Sequence, residues 1–294
     1  MEMETFNFQD INQVKALLPY RKPDANKGDL GRVLCVCGSL GMAGAAYLCA
    51  KAAYRSGAGL VEIFTHESNR EILQTLIPEA IITPWNDQYS RDTLLSSLER
   101  ADVVVAGCGL GTTRESRAII SDLVRLSCEM NIPTVLDADA LNIISRSPAL
   151  LKYAKSSVIT PHIKEMSRLT GISVEDILSN PEKTALDFAK KHSLTCILKS
   201  HKTAVADGSD RVYVNTTGNS GMATGGSGDV LAGIIAGIFA QKRNDTQKNA
   251  LNDAAFCVYL HGLCGDIAAE ELTEYSLMAS DMIDALPRAI GKLV

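Results

Sequence analysis

The stretch Asn219-Ser-Gly-Met-Ala-Thr-Gly-Gly-Ser-Gly-Asp229 runs straight into the apolar VLAGIIAGIFA. It places Gly221, Gly225, Gly226 and Gly228, with one carboxylate, Asp229, at the entrance of a helix. Glycines let backbone N–H groups approach a ligand without Cβ obstruction. A helix N-terminus adds unpaired N–H groups and a partial positive charge of roughly +0.5. Together they make an anion cradle, above all for phosphate. A bound phosphate repels a carboxylate, so Asp229 needs a separate task. One is to cap the helix; the other, favoured by the glycine density, is to act as a catalytic base beside the phosphate.

Further chemistry-bearing residues recur at the ends of apolar runs. Lys199-Ser200-His201-Lys202-Thr203 is the one local basic patch of this kind and suits phosphate contact, against the alternative of an exposed hairpin edge. Thr160-Pro-His162-Ile-Lys-Glu165 ends a strand and opens a helix, with His162 and Glu165 on one helical face. Glu165 suits a Mg²⁺ ion or its waters. Asp137, Asp139 and Asn142 suit a metal or substrate orientation, although Asp139 equally suits a cap on the helix ALNII. Gly107-Cys-Gly-Leu-Gly111, followed by Thr112 and Thr113, lacks the GK[ST] ending of a Walker loop. It is a tight turn or a backbone contact for a ligand. Gly38-Ser-Leu-Gly-Met-Ala-Gly44 has the spacing GxxGxxG, and Glu62 lies inside the following strand; both disfavour a dinucleotide fingerprint and favour a substrate-cradling loop. Lys27-Gly-Asp-Leu-Gly-Arg32 reads equally as a turn or an anchor, and His261 as a helix-packing histidine.

The elements that must position these groups alternate. Short Val/Ile-rich runs at 32–38, 60–65, 101–107, 132–138, 157–161 and 194–200 predict buried parallel strands. Helical segments are expected at 43–56, 67–76, 114–129, 162–170 and 181–192, a hairpin at 203–218, and mostly helix from 228 to 291. This is an α/β layered pattern with a mostly parallel central sheet. In open sheets of this kind ligands sit beyond the carboxyl ends of the strands, and that is where the singled-out residues fall. Residues 1–27 read as a helix plus a polar approach segment, and 1–294 as a single domain without linker or repeat.

Net charge is −5, so nothing global suggests nucleic acid. The chain has no apolar run of about 18 residues, and its first residues are acidic, so a membrane span and a signal peptide are not expected. None of the eight cysteines forms a CxxC pair; they read as reduced core thiols of a cytoplasmic protein, with Cys108 set apart by its Gly-rich turn.

In this order, KGxxG, GSLGMAGAAYLCAKAAYRSGAGLV, GCGLGTT, LDADALN, TPHIKE, LKSHKT and GNSGMATGGSGDVLAGIIAG closely resemble the ADP/ATP-dependent NAD(P)H-hydrate dehydratases, from about Lys27 to the C-terminus. The resemblance implies a ribokinase-like three-layer αβα sandwich. It implies a dehydration in which the nucleotide phosphorylates the C6 hydroxyl of hydrated NADH or NADPH and phosphate then leaves. By match to that family, Ala45, Gly109, His162 and Asp229 contact the hydrated cofactor. Lys199, Ser200, His201, Lys202, Thr203 and Gly228 hold the nucleotide. Gly44, Asp137, Asn142, Gly226 and Ser227 support the site, and Glu165 is placed at Mg²⁺. The chain departs from the family at Ile163 and Lys164 (usually Pro-Gly), at Ser200 (commonly Gly), at Ser220 (usually Pro) and at Ser227 (usually Thr). None of these removes a chemically essential group. The expected activity is that of a stand-alone enzyme using ADP rather than ATP on the S epimer, alongside a separate epimerase, as a homo-oligomer such as a tetramer. The alternative is a small-molecule kinase of the same fold, acting on hydroxymethylpyrimidine, hydroxyethylthiazole or a B6 vitamer.

Overall fold

The computed structural model describes residues 3–245 and 249–294. Its centre is one ten-stranded sheet built from β1 (Glu4–Phe6), β2 (Arg32–Val36), β3 (Leu60–His66), β4 (Ile81–Trp85), β5 (Val103–Ala106), β6 (Thr134–Leu136), β7 (Val158–Ile159), β8 (Thr195–Leu198), β9 (Ala204–Ala206) and β10 (Arg211–Val214). The strand order is β1-β10-β9-β8-β7-β6-β5-β2-β3-β4. β9 is antiparallel to both its neighbours, and the other pairings are parallel.

Alternation along the strands divides the core. Val33, Cys35, Val103 and Val105 face one apolar cluster, while Leu34, Val36, Val104 and Ala106 face the other. Helices Ala43–Arg55, Ser227–Gln241, Ala250–Ser276 and Ala279–Gly291 pack on the first face, and helices Arg91–Leu98, Arg114–Met130, Ala138–Arg146 and Pro181–His192 on the second. This is the three-layer αβα arrangement expected.

The sequence runs from β2 to β3 and β4 on one side, then returns to place β5 on the other side of β2. The loops after β2 and β5 therefore diverge at a topological switch point, where α/β sheets open a crevice. Helix Ser227–Gln241 crosses the face below it, apolar on all sides and pressed against helix Ala43–Arg55. Cβ atoms at Gly233 and Gly237 would fall 2.2 Å from the Cys49 carbonyl oxygen and 2.4 Å from Ser56 Oγ. These glycines permit close helix packing, which fixes the N-terminus of the helix in the crevice.

Two strands and two helices, Arg91–Leu98 and Val174–Ser179, lie outside the expected set. β1 and β4 form the sheet edges, and helix Arg91–Leu98 follows β4. β1 has only three residues, and β4 contains Pro84, which an edge tolerates. The segment 67–76 divides into a 3₁₀ turn, Glu67–Asn69, and helix Arg70–Leu76. The expected hairpin is β9 and β10.

Candidate active site

The entrance of helix Ser227–Gln241 is a left-handed turn at Gly226 (φ 92°), whose lack of a side chain leaves the first helical amides uncapped. A Cβ on Gly226 would meet Leu48 Cδ1 at 2.5 Å, so only glycine makes this entry. Asp229 is the third helical residue, and the cap position belongs to Gly226. The capping role is thereby removed from Asp229. Its carboxylate instead groups with Asp137 and the Cys108 thiol, the ligand atoms lying within 4.8 Å of one another. Burial pushes Asp229 up to about 6, the Asp137 charge adds to this, and the Cys108 thiol and Lys199 partly offset it.

Asp137 ends β6 and is buried; its side chain makes no cap bond to the helix it opens. Its Oδ1 accepts from Lys199 Nζ at 2.6 Å. The next residue, Ala138, holds a left-handed φ of 46°, a strained turn that sends Asp137 into the crevice. Gly107 makes room for this turn, because a Cβ there would lie 1.9 Å from the Asp137 carbonyl oxygen. Lys199 leaves β8 beside it. Burial works against its charge, but Asp137 and Glu165 outweigh burial and raise its pKa, so it is a fixed cation. Nζ lies 3.3 Å from where a Gly228 Cβ would be, and Asp137 Oδ2 lies 3.4 Å from it. An ammonium thus stands over the helix N-terminus, with Asp137 balancing it.

His162 and Glu165 form a closed local pair. His162 Nδ1 accepts from the amides of Lys164 and Glu165 at 3.1 and 3.3 Å, and Glu165 Oε2 accepts from the His162 amide at 2.9 Å. Nδ1 is therefore the acceptor nitrogen of the neutral ring, and Nε2, with the proton, faces Glu165 Oε1 at 3.4 Å. Burial, then the Lys199 charge, lowers the His162 pKa. Burial raises that of Glu165 against the opposing pull of Lys199.

The structure separates the other sequence-predicted residues. Lys199 alone of the basic run reaches the carboxylates. Ser200 Oγ donates to the Lys202 carbonyl at 2.8 Å and Thr203 Oγ1 to the Ser200 carbonyl at 3.2 Å, closing a turn on which His201 and Lys202 are exposed. Asn142 donates to Asp139 Oδ1 at 3.2 Å, and Asp139 Oδ2 accepts from the Gly111 amide at 2.8 Å. Asp139 thereby fastens the glycine loop after β5 to helix Ala138–Arg146. The Gly109 carbonyl oxygen accepts from both the amide and the hydroxyl of Ser39, at 2.7 and 2.9 Å, which joins this loop to the one after β2. Gly109 (φ 59°) abuts Ala45, whose Cβ would lie 2.7 Å from a Cβ on Gly109. Gly44 faces open space, and so does Gly225. Ser227 Oγ lies 3.5 Å from His261 Nε2, which also contacts the Ser227 carbonyl oxygen at 3.0 Å. His261 is a packing histidine, as expected, and what it packs is the glycine turn at the helix entrance. Burial holds it down to about 4 and hence neutral.

Further along the same helix a cavity of about 760 Å³ is lined by Asn219, Asp266, Ala269, Glu270, Thr273 and Tyr275, among others. Asp266 accepts from the Gly218 amide at 2.9 Å and from Asn219 Nδ2 at 3.0 Å, anchoring the loop that leads to Gly226. At 1.5 Å per residue the helix advances about 8–14 Å from His261 to Asp266 and Glu270. The sequence reading missed this cavity. Its signal was the i, i+4 pair Asp266 and Glu270, where the apolar middle of the helix gives way to acidic residues.

The chain matches the NAD(P)H-hydrate dehydratase family model over residues 33–288. It is 34% identical over 292 residues to the ADP-dependent (S)-NAD(P)H-hydrate dehydratase of Staphylococcus aureus, covering 99% of this chain and 97% of that one. It is 35% identical to the bifunctional NAD(P)H-hydrate repair enzyme of Thermofilum pendens, covering 94% of this chain but 53% of the relative, so the chain spans about half the length of such bifunctional relatives. The crystal structure of the ADP/ATP-dependent NAD(P)H-hydrate dehydratase of Bacillus subtilis, co-crystallised with ATP/Mg²⁺, superposes with a TM-score of 0.81 at 27% identity, covering 98% of this chain and 99% of that one.

Proposed function

The chain belongs to the NAD(P)H-hydrate dehydratase family, and on that premise we propose that it dehydrates the S epimer of hydrated NADH and NADPH at the expense of ADP. The observation that carries this reading is the convergence of Asp229, Asp137 and Lys199 on the uncapped N-terminus at Gly226–Gly228. One carboxyl with a pKa of about 6 sits beside one fixed cation and the uncapped helix start at Gly228. That is the minimum needed to move a phosphoryl group onto a hydroxyl.

In this reading Asp229 takes the proton of the C6 hydroxyl as its oxygen attacks the terminal phosphorus of ADP, and AMP leaves. A base near the working pH accelerates such a step by about 10²–10⁴-fold. The amides after Gly226 and the Lys199 ammonium stabilise charge on the transferring group, and positioning does most of the remainder. Phosphate then departs from C6, carrying the oxygen away as a better leaving group than hydroxide. A proton leaves C5 as the C6–O bond breaks, the C5–C6 double bond of the dihydropyridine is restored, and Asp229 gives up the proton it took from the hydroxyl to solvent. Gly44, Ala45 and Gly109 provide a wall without bulky side chains against which a flat ring can lie. The cavity between Asn219 and Tyr275 takes the nucleoside, because it opens on the same helix as His261, which holds Ser227, and on Asn219 of the loop that leads to Gly226.

The donor set suits Mg²⁺. Asp137 and Glu165 offer hard carboxylate oxygens beside the phosphate position, and Mg²⁺ characteristically keeps its waters and binds through one or two carboxylates plus phosphate. When bound it supplies charge neutralisation on the phosphates. Glu165 already accepts the His162 amide, so it fits contact through water better than direct coordination. Eight unpaired thiols suit a reducing cytoplasm, and no described helix is long and apolar enough to cross a membrane. A separate epimerase would supply the S form from the R form.

Product analysis tests the proposal. Under it, each NADH regenerated is accompanied by one AMP and one inorganic phosphate. The vitamin-kinase alternative leaves a stable phosphate ester and no free phosphate, and that result would replace this reading.

A further inference from the structure

We propose that Cys37, Cys49 and Cys108 form a tris-thiol site for a trivalent thiophilic centre of the arsenite class, and that filling it disables the active site by withdrawing Cys108 from Asp229. The three sulfurs lie within 4.8 Å of one another and all three residues are fully buried. They come from three elements: the end of β2, the middle of helix Ala43–Arg55, and the glycine loop after β5. All are free thiols. Cys108 is also the corner of the second group, with Asp137 and Asp229, so one residue joins the thiol cluster to the catalytic carboxylates.

The chemistry selects the trivalent class. A divalent ion held by three thiolates leaves a net negative charge in the interior, next to Asp137 and Asp229, and burying unpaired charge is costly. It also requires thiolates, and metal affinity falls where deprotonation is opposed. Here burial and the neighbouring thiols hold all three well above the usual thiol range. Arsenite avoids both costs. As(OH)₃ is neutral and reacts with protonated thiols: three As–O and three S–H bonds break, three As–S bonds form, and each hydroxide leaves with a thiol proton as water. No electron is transferred and the product is neutral. Bonds comparable to the roughly 2.3 Å of zinc to sulfur hold three sulfurs about 4 Å apart at most, so thiols within 4.8 Å of one another need draw in by no more than about 1 Å. Cys108 is the member whose shift is felt at the carboxylates, because it alone of the three also groups with Asp137 and Asp229.

Binding is measured on the fully reduced chain incubated with arsenite, and in parallel on chain refolded from urea in its presence. The readouts are intact mass and arsenic retained after gel filtration. The expected result is one arsenic per chain, with a mass gain of one arsenic less three hydrogens. Cys49→Ala removes the central thiol and should weaken retention about 10²-fold, the advantage of an additional tethered contact, while Cys264→Ala, outside the cluster, should leave it unchanged. No retention in either preparation, or equal retention by Cys49→Ala, overturns the proposal. The inhibition arm rests on the dehydratase reading: saturating arsenite should cut turnover about tenfold or more in wild type and spare Cys49→Ala. If wild type retains arsenic and keeps its full rate, the claimed link from Cys108 to Asp229 is wrong. If untreated protein has no dehydratase activity, the functional reading falls while the mass measurement still decides the site.

Discussion

Replacing Asp229 with asparagine should abolish turnover and make the protein more stable. Raising a carboxyl from its ordinary 3.8 to about 6 costs the ionised form about 3 kcal/mol in the folded state. The residue is half-buried, so solvent screening reduces this. The asparagine also forgoes about 0.5 kcal/mol of favourable interaction between the charge and the helix N-terminus. The expected net gain near neutral pH is about 1–2 kcal/mol, or a rise in Tm of about 2–5 °C. The sign follows from linkage. With the folded pKa above the unfolded one, the wild-type group contributes fully to stability below pH 3.8 and loses that contribution as pH rises through about 6. The advantage of Asp229→Asn should therefore be present at pH 7, shrink through pH 6 to 4, and vanish below that. Urea unfolding of both proteins across that range measures it, while turnover at pH 7 should fall about 10²–10⁴-fold. A variant that is less stable at pH 7, or whose advantage does not change with pH, would refute the claim that a strained carboxylate is held in the crevice as a base.

Three further outcomes follow from the same geometry. In wild type, kcat/KM should rise with pH to a plateau, with an apparent pKa near 6 set by Asp229; a flat profile from pH 5 to 8 would remove Asp229 as the base. Lys199→Met should weaken nucleotide use about tenfold or more and destabilise the fold by about 1–3 kcal/mol, because Asp137 loses its 2.6 Å partner; adding Asp137→Asn should recover much of the stability and none of the activity, as unfolding and kinetics on the same samples would show. Gly228→Ala should fold normally, alanine being the better helix former, yet raise KM for ADP about tenfold by placing a methyl 3.3 Å from Lys199 Nζ and 3.4 Å from Asp137 Oδ2 where phosphate approaches; unchanged KM would place the phosphate elsewhere.

Much of this site was legible because its residues stand at the ends of buried strands. Asp137, His162 and Lys199 follow apolar runs whose composition marks parallel sheet, and the rule that ligands gather at carboxyl ends brings them together without coordinates. The edges were not legible. β1 is too short to show alternation, and in β4 Pro84 argues against strand until an edge position is known. Local chemistry left alternatives open where tertiary contact decides. For Asp229 a cap stood as the alternative to the favoured base, and the left-handed turn at Gly226 moves the cap position three residues away. Asp139 resembled a helix cap or a metal ligand, whereas its carboxylate holds the Gly111 amide across the crevice wall. Cys37, Cys49 and Cys108 showed no motif spacing because they meet from three separate elements, which only the packing of helix Ala43–Arg55 against the sheet determines.

The most direct test of the account follows the near-ultraviolet absorbance of the dihydropyridine when purified protein and Mg²⁺ meet hydrated NADH, with ADP, with ATP or with neither. The account predicts recovery of absorbance that requires nucleotide, proceeds faster with ADP, and is absent for Asp229→Asn. Recovery without nucleotide, or none with either nucleotide, would contradict it.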